Sequence, residues 1–204
     1  MESRLNRRHD HQGRQPPGHT FEEGILMLSA HQRDAIVYCL HGIDAHAAAK
    51  YNWPGPVLFA WLRETPVPGH PDPTARAVNV VPLLVEPARW QNEPDGPVAA
   101  LRQITDEAHH PSHQAAIALK AGRPSQTKAL AYLFMYPVTI ERETGERVEA
   151  RIIDAVDTDG TIYVLTRTPG TTEGIVVTAD DGDDETITLL RRLISLTYPD
   201  GTKP

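Results

Sequence analysis

Apolar residues recur at helical spacing in the first part of the chain. They fall at positions 36, 39, 40, 43 and 47, which predicts a helix with one buried stripe. Ser29 and Gln32 have the spacing of a capping box, as does the segment 20–23, so the helix is predicted to begin at Ser29. It is predicted to end before Trp53, with Cys39 as a small core residue.

The hydrophobic pattern then changes to that of β-strands. Short apolar runs occupy residues 57–62 and 78–85, separated by a segment rich in proline and glycine. Pro82 has no backbone donor, which predicts that the second strand lies at a sheet edge or a bulge. A helix is predicted from Pro97, with apolar residues at 98, 101, 104 and 108, and a further short helix is predicted at 115–119.

The last third of the chain predicts a meander of strands closed by a helix. Residues 130–136 are apolar on both faces, as in a central strand. Residues 148–156 and 161–167 flank Asp157-Thr158-Asp159-Gly160, in which Asp-Gly favours a tight hairpin turn. Residues 174–178 predict a fourth strand of this meander. The final helix has its apolar positions at 187, 189, 190, 193, 194 and 196.

These elements predict an α+β fold. Its largely antiparallel sheet has about five to six strands and is packed with N-terminal, middle and C-terminal helices. Residues 1–19 contain almost no apolar side chains, so they are predicted to be a flexible arm, with weak anion binding as an alternative to a plain solvated terminus. Residues 20–198 are predicted to form a single domain and residues 199–204 a flexible tail.

Composition narrows the classes of protein that the chain can represent. The formal net charge is −7, with +2 in residues 1–20 and −7 in residues 138–204, which argues against a protein that holds nucleic acid with its whole surface. The single cysteine rules out a disulfide framework within the chain and favours a reducing cytosol. No apolar run approaches the roughly 20 residues of a membrane helix, and no signal-peptide core is present near the start.

The segment 155–162, AVDTDGTI, resembles the first motif of the haloacid dehalogenase-like phosphatases. The resemblance implies that Asp157 is a nucleophile, that Asp159 is a general acid and that Mg²⁺ binds between them. That fold needs several further βα units and a cation that pairs the phosphate, and only 44 residues follow Gly160. The favoured interpretation is therefore a hairpin turn, with a metal-dependent phosphohydrolase as an alternative.

Residues 28–61 resemble a helix-turn-helix of the regulator and small-terminase type, through Ala48, Asn52, Leu58 and Trp61. The resemblance implies a DNA-binding regulator that uses residues 20–62. A recognition helix must expose Arg, Lys, Asn or Gln to base edges, and residues 54–62 contain none of these. An apolar segment of this kind is typical of a buried element, so DNA binding is not favoured.

Three imidazoles, those of His109, His110 and His113, lie in a predicted loop. A zinc site needs three or four converging ligands, usually at short fixed spacings, and no such pattern is present. A histidine metal site is therefore only an alternative, and no cofactor is predicted.

The order of elements is also similar to that of uncharacterised α+β proteins of high-GC bacteria and their phages, through residues 56–59, 132–136 and 155–163. This similarity implies no activity. Because each catalytic pattern fails, the sequence favours a non-enzymatic cytoplasmic accessory or interaction protein. It would bind a protein partner or associate with itself through the strand at 129–136 or through a sheet edge. Whether residues 54–62 form a strand or a helix separates this hypothesis from DNA binding.

Overall fold

Three α-helices and six strands lie in the part of the chain that the structure describes. The structure is a computed structural model, and it describes residues 27–110, 128–142, 144–171, 175–178 and 184–197. The helices are α1 (Ala30–Lys50), α2 (Pro97–Ala108) and α3 (Glu185–Thr197), and the strands are β1 (Leu58–Pro66), β2 (Arg76–Leu84), β3 (Lys128–Glu141), β4 (Arg147–Asp157), β5 (Ile162–Arg167) and β6 (Ile175–Thr178). The strands form one antiparallel sheet in the order β2-β1-β3-β4-β5-β6. The predicted α+β fold is confirmed.

The start of α1 follows the predicted capping box. The Ser29 hydroxyl accepts a hydrogen bond from the Gln32 amide N–H at 3.2 Å, and the Gln32 side-chain oxygen accepts one from the Ser29 N–H at 2.9 Å. The two bonds satisfy donors that the first helical turn leaves free. The predicted capping box at 20–23, the arm at 1–19, the helix at 115–119 and the tail at 199–204 lie outside the described residues.

The sheet has a core on each face. Along β3, Ala131, Leu133 and Met135 pack on the face that α1 covers, whereas Tyr132 and Phe134 pack on the face that α2 and α3 cover. This alternation follows from the two-residue period of a strand. Because both faces are buried, β3 is apolar throughout its centre, and its predicted position between two other strands is confirmed.

The segment that resembled a recognition helix is a strand inside the sheet. Within β1, Leu58, Ala60 and Leu62 pack beneath α1, and Phe59 packs against the opposite core. β1 pairs with β2 on one side and with β3 on the other. The helix-turn-helix interpretation of residues 28–61 is therefore wrong, because the second helix that would enter a DNA groove does not exist.

The sheet order also contradicts one of the predicted routes for self-association. β3 is paired along both of its sides, with β1 and with β4, so the strand at 129–136 offers no free edge. β2 is the last strand on its side of the sheet, which confirms that Pro82 lies in an edge strand. None of the described helices is long and apolar enough to cross a membrane.

We expect the centre of β3 to be essential for stability. Leu133 is completely buried, and Leu133→Ala should lower the free energy of unfolding by about 2–5 kcal/mol because it removes apolar contacts and leaves a cavity. Leu83 on β2 is 46% exposed, so Leu83→Ala should change it by less than about 0.5 kcal/mol. Urea unfolding of both variants measures the difference, and equal losses would contradict the two-faced core.

Candidate functional site

Asp157 lies at the end of β4, and its carboxylate organises the turn into β5. Its Oδ1 accepts hydrogen bonds from the backbone N–H groups of Asp159 at 2.8 Å and Thr161 at 2.9 Å. Its Oδ2 accepts one from the Tyr163 hydroxyl at 2.8 Å. Burial, followed by the nearby Asp157 charge, raises the pKa of Tyr163 above its ordinary value. Gly160 supplies the positive φ, +89°, that the predicted tight turn requires.

Asp159 joins the same turn to the beginning of α1. Its Oδ2 accepts a hydrogen bond from the Leu28 backbone N–H at 2.6 Å and pairs with the Arg33 guanidinium at 3.4 Å. Its side chain is only 3% exposed. A nucleophile and a general acid must reach their substrate, whereas both aspartates are buried and bonded within the chain. The geometry therefore gives Asp157 and Asp159 a structural role.

His109 closes the end of α2 with both of its ring nitrogens. Nε2 lies 3.3 Å from the Nε–H of Arg192, which can only donate, so Nε2 accepts and Nδ1 donates to the Thr105 carbonyl at 3.0 Å. His110 is exposed, and His113 lies outside the described residues. Within the described part of the chain, no group of three or more His, Cys, Asp or Glu side chains is placed to hold a metal ion.

A buried charge cluster connects α1 to β4 and β5. Arg151 is 1% exposed, and its Nε donates to Oδ1 of the fully buried Asp44 at 3.0 Å. Arg151 Nη2 bonds the same carboxylate oxygen. Arg167 forms an ion pair with Oδ2 of Asp44. One carboxylate on α1 thus holds arginines from two neighbouring strands.

The loop after α1 folds over this cluster. Arg151 Nη1 donates to the Pro54 carbonyl at 3.0 Å, and its guanidinium lies 5.2 Å from the centre of the Trp53 ring, within the range of a cation–π contact. Gly55 has φ of +101°, and a Cβ there would lie 3.1 Å from Arg151 Nη1. Glycine is required because both the backbone conformation and the close approach disfavour a side chain.

A second buried polar pair lies on the opposite face of the sheet. The Tyr136 hydroxyl donates to Oδ2 of Asp154 at 2.7 Å. Burial raises the pKa of Asp154 to about 7, and the negative charge of Asp184 at the start of α3 adds to the effect. Burial also raises the pKa of Tyr136. Both side chains are buried, so the pair is expected to affect the stability of the fold.

An open groove lies between α1 and β2. This α1–β2 groove has a volume of about 470 Å³ and is lined by His31, Ala35, Tyr38, Cys39, Glu64, Thr74, Arg76 and Val78. Tyr38 is 81% exposed. Cys39, predicted as a core residue, is half-buried and forms part of the groove wall. Burial raises the pKa of its thiol, which disfavours the reactive thiolate.

The backbone of β2 presents an open edge beside this groove. Val85 N–H donates to the Val57 carbonyl at 3.0 Å, and Val67 N–H donates to the Ala75 carbonyl at 3.1 Å. The register between these two bonds is uninterrupted. Odd-numbered residues of β2 therefore bond to β1, and even-numbered residues direct their backbone groups away from it. The open edge includes the outward backbone groups of Arg76, Val78 and Val80, which bond no described residue.

The chain matches no protein-family model, and searches among curated proteins and solved structures return no match either. Sequence patterns located the turn at 157–160 and the edge strand. They missed Asp44 and Arg151, although position 44, four residues after Leu40, falls on the predicted buried stripe of α1.

We expect Asp44 to be required for folding. Asp44→Asn removes the charge that compensates two arginines, one of them fully buried, and should lower the free energy of unfolding by about 3–5 kcal/mol. The exposed Asp34 on the same helix gives a matched control, and Asp34→Asn should change the free energy of unfolding by less than about 0.5 kcal/mol. Urea unfolding at pH 7 compares them. A loss below about 1 kcal/mol for Asp44→Asn would show that the cluster does not hold α1.

We expect Asp154 to make stability depend on pH. Its pKa rises from an ordinary value of 3.8 to about 7 on folding, so the wild-type protein loses stability as the pH rises from about 4 to 7. The Asp154→Asn side chain cannot ionise. Over this pH range its free energy of unfolding should therefore rise relative to that of the wild type, by at most about 4 kcal/mol. Thermal unfolding at pH 5 and pH 8 measures the gain.

A control for Asp154→Asn lies on the same strand. Glu149 is exposed, and Glu149→Gln should give the same difference from the wild type at both pH values. If Asp154→Asn shows no larger advantage at pH 8 than at pH 5, the carboxyl group is ionised in the folded protein at neutral pH.

Proposed function

We propose that the protein is a non-enzymatic accessory protein that binds another protein through the open edge of β2. The observation that carries this proposal is the row of backbone groups at Arg76, Val78 and Val80, which have no partner among the described residues. An exposed strand edge is a template for pairing with another chain. Backbone hydrogen bonds across such an edge give affinity, and neighbouring pockets give specificity.

Exposed apolar side chains lie on β2 and beside it. Among the residues that the structure describes, four large apolar side chains are exposed: Met27, Tyr38, Leu83 and Leu84. Leu83 and Leu84 belong to β2 and flank its edge on opposite faces of the sheet, and Tyr38 lines the groove on the face of Leu84. Exposed apolar surface of this kind, when it is contiguous and rimmed by polar groups, marks interaction sites. Its position beside the open edge supports a protein partner.

The other candidate functions lack a supporting contact. The phosphohydrolase would need accessible carboxylates, and Asp157 and Asp159 are occupied by the turn and by α1.

The half-buried thiol of Cys39, the single cysteine of the chain, favours a reducing compartment and therefore a cytoplasmic role.

Site-specific photo-cross-linking in the cells that produce the protein tests this proposal. A benzoylphenylalanine placed at position 83, which is partly exposed on β2, should give a discrete cross-linked protein species. The same probe at the exposed position 149 on β4 should not. Val80→Pro removes one outward N–H and should abolish the species, whereas Val80→Thr keeps the donor and should retain it. Equal products from positions 83 and 149 would contradict the proposal.

A further inference from the structure

We infer that the partner contributes an extended peptide segment, which adds to β2 as a further strand and places an apolar side chain in the α1–β2 groove. This inference rests on the proposed function and specifies its partner. Three features of the described residues lead to it: the direction of the β2 backbone groups, the position of Pro82 and the walls of the groove.

The backbone of β2 sets the spacing of an added strand. The N–H and C=O groups of Arg76, Val78 and Val80 point outward at every second residue, as the bonds of Val85 and Ala75 to the β1 side require. Hydrogen bonds to a new strand would therefore recur with a period of two residues. Only alternate amides of a bound peptide would take part in them.

Pro82 sets the length of the added strand. It belongs to the same outward-facing set, since it pairs with Ala60 in the uninterrupted register, and it has no N–H to donate. The unbroken row of outward N–H donors therefore covers the five residues Arg76–Val80, which span about 17 Å of extended chain. A segment this short fits a linear peptide motif better than a whole sheet edge.

The strand geometry also fixes which peptide side chains face α1. Val78 and Val80 pack against the core beneath α1, and residues directly opposite each other in an antiparallel pair have their side chains on the same face. The peptide residue opposite Val78 would therefore project into the α1–β2 groove, beside Tyr38 and Cys39.

The groove favours an apolar side chain at that position. Ala35, Cys39, Val78 and the exposed ring of Tyr38 supply its apolar walls. The charged groups at its rim already have contacts: Glu64 accepts from the Gln32 side-chain amide at 3.2 Å, and Arg76 donates to the carbonyls of Pro73 and Ala75 at 3.1 Å. Because Tyr38 is 81% exposed, a peptide side chain that covers its ring would remove apolar area from water.

A display library of random nine-residue peptides, selected on the purified full-length protein, tests the inference. Selected peptides should share an apolar anchor, and their affinity can be measured by fluorescence anisotropy. Val80→Pro should weaken binding by about tenfold, the loss expected for one hydrogen bond, whereas Val80→Thr should leave it within about threefold. Tyr38→Ala should also weaken binding by about tenfold, because the anchor loses an aromatic wall.

Peptide N-methylation provides a second test on the unmodified protein, so that the result does not depend on whether Val80→Pro folds. Methylation of alternate amides should abolish binding, and methylation of the amides between them should have little effect. Binding that is indifferent to the methylated position, or peptides that bind Val80→Pro as well as the wild type, would overturn the inference.

Sedimentation velocity separates this inference from the broader proposal. A dimer that Val80→Pro dissociates would show that a second copy occupies the edge, which overturns the peptide inference and leaves standing only the use of the open edge for pairing with a protein chain. A cross-link from position 83 without any selected peptide would overturn the peptide inference and leave the proposed function standing. Loss of both the cross-link and peptide binding would overturn the proposed function as well.

Discussion

Removing a carboxylate and a guanidinium from water costs several kcal/mol for each ion unless the two groups meet inside the protein. Asp44 and Arg151 are both buried and bonded to each other, so α1 can dock on the sheet only where these groups coincide. Arg167 and the Pro54 carbonyl complete the same cluster. One set of charges thereby fixes α1, two strands and the loop that leads into β1.

The same constraint determines which side of α1 stays open. Arg33 and Asp44 lie eleven residues apart, close to three helical turns, and therefore on the same flank. Both are held on the β4–β5 side of the sheet, by Asp159 and by Arg151. The opposite flank, which carries Tyr38 and Cys39, faces β2 across the groove. Charge pairing on one side of the helix thus positions the apolar surface on the other.

Local patterns in the sequence were sufficient for most of the fold. The capping box at Ser29, the apolar centre of β3 and the Asp-Gly turn each depend on residues close in sequence, and the structure contains all of them. The Asp44–Arg151 pair joins residues 107 positions apart, and a charged residue in an apolar pattern gives no indication of its partner. The groove was not predictable for the same reason, because its walls come from α1 and β2, which are distant in sequence and meet only in the folded protein.

The ends of the open edge bear on whether it serves binding. Natural sheets protect their edges with charges and prolines, because a long unprotected strand pairs indiscriminately. β2 carries Arg76 at one end and Pro82 near the other, and only Val78 and Val80 present outward backbone groups between them. Full protection would place a charge or a proline at these two positions as well. The valines instead adjoin an apolar groove, so the unprotected stretch is short enough to exclude whole sheets and long enough for a peptide.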